Sequence, residues 1–345
     1  MNLWLNNVSE TKVISPTINA LPRLIDASYK SEKINHISIP GINFIGIKNK
    51  LLSILKLPYI FFKIFMNCYW ADHIHLRCPG NIGLMGCLVQ LLFPHKIKTV
   101  KYAGNWDPNS KQPLSYRLQK QIISNTIFTK NCKVLVYGEW KSTSKNIYPF
   151  FTASYEEKEI KKITKISFSE KIKLIYVGAF TTSKQPILSV KVAENLINNG
   201  LDVELNMYGC GQELEKIKHY IKKNKLTKHV FLQGNKNKAT IKKAFQEAHF
   251  LIFVSKSEGW PKVVAEAMFW GCVPISSKVS CIPYMLDYGK RGVLVNPVIT
   301  EIISPLEEYI SNETEYKRIS NLAMEWSQKY TLNLFSKEIK RLIIN

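Results

Sequence analysis

From residue 173 to residue 275 the chain repeats one pattern: a short apolar run, a loop, then a longer amphipathic stretch. The apolar runs are 173–177, 203–208, 230–232, 250–254 and 273–275, and the helical stretches between them are 186–199, 212–224, 238–247 and 261–270. A run such as Phe250 to Val254, apolar throughout, reads as a strand covered on both faces. Strands that alternate with helices pair in parallel, because each helix carries the chain back across the sheet. This region is therefore expected to be a doubly wound α/β domain. Its ligand loops would lie at the carboxyl ends of the strands.

The first half shows a looser version of the same alternation. Strands are expected at 73–76, 98–102 and 133–137, with helices at 82–93 and 114–130. His73 and His75 on the first of these are read as facing opposite sides. Residues 1–50 hold short apolar runs broken by Pro16, Pro22 and Pro40, which points to strands and loops. At 345 residues two domains are expected. The boundaries read as 1–150 for the first domain, 151–171 for a linker and 172–328 for the second. Residues 329–345 read as a terminal helix that crosses back to the first domain.

Residues 51–70 are the most apolar window, and Lys56, Pro58 and Lys63 interrupt it, which argues against a membrane span. Two readings stay open. It is a core helix, or a helix in a membrane interface with its lysines reaching the headgroups. The net charge of +22 is equally double-edged. It fits an anionic membrane surface or a phosphorylated substrate, and it fits lysine faces that are simply solvated. Nucleic acid is not an expected partner, since Lys far outnumbers the Arg that base and phosphate readers favour. The seven cysteines are scattered, with no CxxC pair and no metal-ligand spacing. That usage, with no evident signal peptide, leads us to expect a cytoplasmic protein, peripheral on the inner face of the membrane, with no metal and no cofactor.

The residues with chemical potential gather at the strand ends of the second domain. Glu258 stands in the loop after residue 254, and Glu266 lies inside the helix that follows, with Pro261 suited to its first turn. A strand, a loop carrying Gly259 and Trp260, and a helix N-terminus make a site ready for anions. Carboxylates at its two ends fit the hydroxyls of a sugar nucleotide. Gly178 and the hydroxyl-rich turn to Lys184 follow the first strand, with Lys184 placed for a diphosphate. Gly209 and Gly211 follow the second, where missing side chains allow close backbone approach. Gln233 and Gly234 follow the third, within reach of a nucleobase. In the first domain Arg77, Asn105, Trp106 and Asp107 sit at strand ends and are candidates for the acceptor. Trp106 is read either as a sugar-stacking platform or as a packed loop anchor.

In this order the motifs resemble the C-terminal domain of the GT-B glycosyltransferases of family 4, the glycosyl transferases group 1, of the bacterial capsule and exopolysaccharide type. The matching positions are Gly178 with Lys184, Gly209 and Gly211, Gly234, Glu258 and Glu266 with Ala267 and Met268, Gly271 with Pro274, and the tail from Ile282 to Pro297. The resemblance implies two Rossmann-like domains facing a central cleft. It implies a retaining, metal-independent transfer of a hexose from a UDP- or GDP-sugar to a lipid-linked or growing glycan. It assigns Glu258 to the donor sugar, with Gly259 and Trp260 around it and Val263 in the first helical turn. It assigns Glu266 to the ribose and Lys184 to the leaving diphosphate. Two positions depart from the pattern. The family's Arg beside the first glycine is Ala179, and its His at an N-domain strand end is Ala103. They leave a second reading open, a non-catalytic protein that binds nucleotide sugars or scaffolds an assembly.

Overall fold

The computed structural model describes residues 2–22, 26, 28–140, 144–165 and 167–344. The chain divides into two units, one of residues 1–151 with 335–345 and the other of residues 152–334.

Unit 1 runs α1 (Asn2–Leu5), β1 (Thr11–Pro16), β2 (Ile34–Ile39), α2 (Ile47–Trp70), β3 (His73–Cys78), α3 (Asn81–Val89), β4 (Ile97–Tyr102), α4 (Leu114–Ser124), β5 (Cys132–Tyr137) and β6 (Ile147–Phe150). Strands β3 to β6 form one parallel sheet in sequence order, and β1 and β2 form a separate parallel pair. The core lies between this sheet and α2, α3 and α4. Ile60, Ile64, Cys68, Ile74, Val100, Ile123 and Val134 are all buried there. Strand β6 was not expected, because Pro149 interrupts a short apolar run. Among the described residues it pairs only with β5, and proline is tolerated on such an edge.

His73 and His75 do not face opposite sides. Residues two apart on a strand share a face, and His73 Nε2 and His75 Nδ1 each lie 2.8 Å from the Thr99 hydroxyl. Burial, then the charges of His73, Arg77 and Lys101, push the His75 pKa down to about 3. His75 is thus a neutral packing residue, 4.0 Å from the Trp4 ring by centroids.

Unit 2 runs β7 (Ile172–Val177), α5 (Pro186–Asn198), β8 (Val203–Tyr208), α6 (Leu214–Lys223), β9 (Val230–Gly234), α7 (Lys238–Glu247), β10 (Phe250–Phe253), α8 (Lys262–Phe269), β11 (Val273–Ser277), α9 (Ile282–Met285), β12 (Val293–Val295), α10 (Ile299–Ser311) and α11 (Glu313–Ser327). The last helix, α12 (Leu332–Ile344), begins in this unit, and from Phe335 onward it belongs to unit 1. There Phe335 packs on Phe150 and Phe151. The unit 2 sheet is parallel throughout, in the order β12-β11-β10-β7-β8-β9. Helix α10 had no counterpart in the expected elements, since Pro305 falls inside it. Its Ile302, Ile303 and Leu306 are buried on the core nonetheless.

The stretch expected to be a linker is built into unit 2 from residue 152 onward. Tyr155 is buried against Phe269 and Trp270, and its carbonyl accepts a 2.8 Å bond from the Leu332 N–H. Lys165 Nζ donates to the carbonyls of Phe245 and Gln246, capping the end of α7. Mixed polar residues without a period look like linker in sequence. Here they are fixed by long-range partners that no local pattern shows.

Candidate active site

The order of the unit 2 strands places the site. Chain order runs outward from β7 in both directions, to β8 and β9 on one side and to β10, β11 and β12 on the other. The loops after β7 and β10 leave the carboxyl edge of the sheet at this switch point, the place where doubly wound folds bind ligands. Lys184 ends the loop after β7. Glu258 lies in the loop after β10. They meet there as an ion pair, with the Glu258 side chain 7% and the Lys184 side chain 26% exposed. Lys184 Nζ also stands 5.0 Å from the centre of the Phe253 ring. The Ser183 carbonyl accepts from the Lys256 N–H at 2.8 Å, so backbone as well as side chains closes the pair of loops.

A second layer of bonds fixes the loop that carries Lys184. The Gly178 N–H donates to the Tyr208 carbonyl and the Phe180 N–H to the Cys210 carbonyl, both at 2.9 Å. The Tyr176 hydroxyl donates to the Ala179 carbonyl at 3.1 Å. Burial, and secondarily the Glu258 charge, raise the Tyr176 pKa, which keeps this donor protonated. Gly209 and Gly211 serve the same packing. A Cβ at Gly209 would stand 1.9 Å from the Gly178 carbonyl oxygen, and one at Gly211 would stand 2.4 Å from that of Phe180. Their missing side chains therefore admit neighbouring backbone, where the sequence had pointed to phosphate or sugar. Gly234 has open space around its Cβ position and a φ of +67°, so its glycine answers the turn alone.

Helix α8 begins at Lys262, with Pro261 at its N-cap position one residue outside the expected first turn. Val263 follows in that turn, half-buried, as are Gly259 and Trp260. The Ser280 hydroxyl donates to the Gly259 carbonyl at 2.9 Å and holds the loop. Glu266 stands apart from the ion pair. Its Oε1 accepts from the Ser154 hydroxyl at 2.5 Å, and the Ser154 carbonyl in turn accepts from Lys238 Nζ. Glu266 shares with Trp260 and Tyr330 the wall of a cavity of about 10 Å³. Burial raises its pKa above the ordinary carboxylate value, only partly opposed by the Ser154 bond and by Lys262 and Lys238. Ser154 and Lys238 were not legible as site residues, since Ser154 is 112 positions from Glu266.

The raised pKa has a stability consequence of definite sign. A carboxyl whose folded pKa exceeds its unfolded one favours the fold at acid pH and loses that contribution as pH rises through the folded value. At pH 7 the charged Glu266 therefore costs stability. Glu266→Gln is expected to melt at or above the wild-type temperature at pH 7 and to lose that margin at pH 4, read by calorimetry at both pH values.

The unit 1 candidates fare unequally. Arg77 lines a cavity of about 420 Å³ between β1 and β3, together with Lys12, His73, His75 and Trp70. Residues 105–107 do not line it. Trp106 is buried edge-on against Tyr102 at 4.9 Å, with Lys120 Nζ 5.1 Å from its ring centre. It is a loop anchor and presents no platform for a sugar. Asn105 and Asp107 are half-buried and each accepts a backbone N–H two residues on, so both side chains are engaged in their own turn. Among the described residues no three His, Cys, Asp or Glu side chains group as metal ligands.

Two parallel α/β units in one chain, one of them with an ion pair where its strand order reverses, match the GT-B fold of known glycosyltransferase structures. Known structures agree in fold. The lipopolysaccharide outer core galactosyltransferase WaaB superposes with a TM-score of 0.67 at 17% identity, covering 91% of this chain and 85% of that one. The Anabaena HepE protein, solved with UDP and glucose, gives 0.66 at 12% identity over 90% of this chain and 85% of its own.

Residues 157–326 match the family model described as glycosyl transferases group 1. Among curated relatives, the poly(glycerol-phosphate) alpha-glucosyltransferase of Bacillus subtilis is 26% identical over 191 residues, which is 53% of this chain and 27% of the relative. Protein CapJ of Staphylococcus aureus is 25% identical over 280 residues, 75% of this chain and 68% of CapJ. The chain thus spans only about a quarter of the first relative's length.

Proposed function

We propose that the protein is a glycosyltransferase that moves a hexose from a UDP- or GDP-sugar to a lipid-linked or growing surface polysaccharide, with retention at the anomeric carbon and without a metal. The observation that carries this reading is the Lys184–Glu258 pair at the switch point of a sheet whose region matches the group 1 family model. An ammonium and a carboxylate in contact match two adjacent features of a sugar 1-diphosphate. The hydroxyls of the sugar are hydrogen-bond donors for Glu258, and the diphosphate beside them is an anion for Lys184. As the bond from the anomeric carbon to the diphosphate breaks, negative charge grows on the leaving oxygen. Lys184 Nζ, held on the backbone-tied loop, stabilises that charge where it develops. Gly259 and Trp260 then border the sugar, Val263 the first turn of α8, and Glu266 the ribose once its Ser154 bond is exchanged for ribose hydroxyls. Gly209 and Gly211 keep the turns after β7 and β8 close together, and Gly178 and Gly234 lie in the turns that border the donor. HepE holding UDP and glucose supports a UDP-sugar as the donor. The names of the Bacillus relative and of WaaB support a glycan or polymer acceptor.

The test is a melting screen against UDP- and GDP-sugars, followed by donor turnover. A ligand at 100 times its Kd raises folded-state stability by about 2.7 kcal/mol. One nucleotide sugar is expected to raise the melting temperature and then to be consumed, with the anomeric configuration of the product read by NMR. If no nucleotide sugar shifts the transition, the reading fails. A shift without turnover would instead favour a non-catalytic nucleotide-sugar-binding protein. That alternative rests on Ala179, which places an exposed methyl where the family has a cation.

A further inference from the structure

Helix α2 has two apolar faces, and unit 1 uses one of them. Ser53, Ile60, Ile64 and Cys68 are buried on the inner side, the last three within the core. On the opposite side Leu51, Leu55, Tyr59, Phe62, Met66 and Tyr69 recur every three or four residues, and all are exposed, Leu55 at 76% and Phe62 at 59%. The turn before the helix adds Phe44 and Ile45 to the same exposed set. The outer face of a helix on a globular domain normally carries charged and polar side chains. Here the only charged residues of the helix are Lys48, Lys50, Lys56 and Lys63. From Lys33 to Trp106 the sequence holds a single carboxylate, Asp72, against nine Lys and Arg.

We propose that the outer face of α2 seats in the interface of an anionic phospholipid bilayer, with the helix axis along the surface. Leu51, Leu55, Phe62 and Met66 would enter the acyl boundary. Tyr59 and Tyr69 would sit at headgroup depth, and the lysines would meet lipid phosphates. Chemistry selects this occupant. Apolar side chains whose only charged companions on the helix are cations match a surface that is apolar below and anionic above. A second copy of the same face would set lysine against lysine. A span across the bilayer is excluded by the inner face, because Ile60, Ile64 and Cys68 cannot leave the core of unit 1 while it is folded. The two readings of residues 51–70 thus hold together, one for each face of the helix.

The full chain is tested by co-sedimentation with vesicles of phosphatidylcholine alone and of phosphatidylcholine mixed with phosphatidylglycerol. Binding is expected only with the anionic vesicles. It should fall roughly tenfold or more in a Leu55→Ser, Phe62→Ser variant, and likewise in a Lys48→Gln, Lys50→Gln, Lys56→Gln, Lys63→Gln variant or at high salt. Both variants should keep the wild-type circular dichroism and, if the donor reading holds, the melting shift with nucleotide sugar. That separates a failed surface from a misfolded chain and from a failed donor site. Absence of binding to anionic vesicles overturns the proposal, as does equal binding by wild type and the Leu55, Phe62 variant. A concentration-dependent dimer lost in that variant, without vesicle binding, would assign the face to a second copy and overturn it too.

Discussion

Lys184→Ala is expected to slow transfer from the nucleotide sugar by roughly 10²–10³-fold, the usual cost of removing one preorganised charged group from a transition state. The loss should appear in kcat more than in KM, because the charge that Lys184 meets is greatest as the leaving diphosphate departs. The fold should survive. Lys184 ends a surface loop, and the backbone bonds from Gly178 to Tyr208 and from Phe180 to Cys210 do not use its side chain. What the substitution does leave behind is Glu258, buried and without its cation. Lys184→Arg keeps the charge but not the compact ammonium that fits between Phe253 and Glu258. It should recover binding and only part of the rate. Single-turnover measurement with saturating donor checks both variants against the wild type. Wild-type kcat in Lys184→Ala would remove the residue from the chemistry.

The second large effect is expected at a glycine with no ligand role of its own. Gly209 adopts φ +136°, and a Cβ there would meet the Gly178 carbonyl oxygen at 1.9 Å. Neither atom can yield, since both belong to backbone tied into β7, β8 and β9. The Gly209 N–H donates to the Gly234 carbonyl at 2.9 Å, and Gly178 is bonded to Tyr208. Gly209→Ala should therefore force the loop after β8 away from the loop after β7. The cost is expected to be about 3–5 kcal/mol of stability, at the upper end for single substitutions. The loop that carries Lys184 would shift with it, and the melting response to nucleotide sugar would go. Gly200→Ala is the control. Gly200 also has positive φ, +84°, but nothing within 4 Å of its Cβ position. It should cost only the left-handed backbone penalty of about 1–2 kcal/mol and leave donor binding intact. Urea unfolding of the two variants separates conformational strain from steric exclusion.

Much of unit 2 was legible because its signals are local. Apolar runs between amphipathic stretches marked β7 to β11, and the observed elements differ from the expected ones by a few residues at their ends. Glu258 and Lys184 each follow an apolar run closely enough for the sequence to place them at a strand end. The signals that failed were equally local. Pro149 and Pro305 masked β6 and α10, since a proline that ends a helix or strand in most settings is tolerated on an edge or where packing compensates. Trp106 read equally well as platform or anchor, and only its contact with Tyr102 decides for the anchor. The stretch after residue 151 looked like linker because its order comes from Leu332, Phe245, Gln246 and Trp270, all far away in sequence.

By itself the sequence determined the elements and the chemical inventory: parallel α/β alternation, glycines at the turns, two carboxylates and a lysine at strand ends. Period and residue type are properties of a few neighbours, and a linear chain displays them. The tertiary structure alone decided who meets whom. It set β10 beside β7, and so brought Lys184 to Glu258. It joined Glu266 to Ser154 rather than to that pair. It also chose which apolar face of α2 enters the core and which faces out. Those outcomes depend on strand order and on competition for buried surface, which are settled across the whole sheet and leave no mark on any single stretch of sequence.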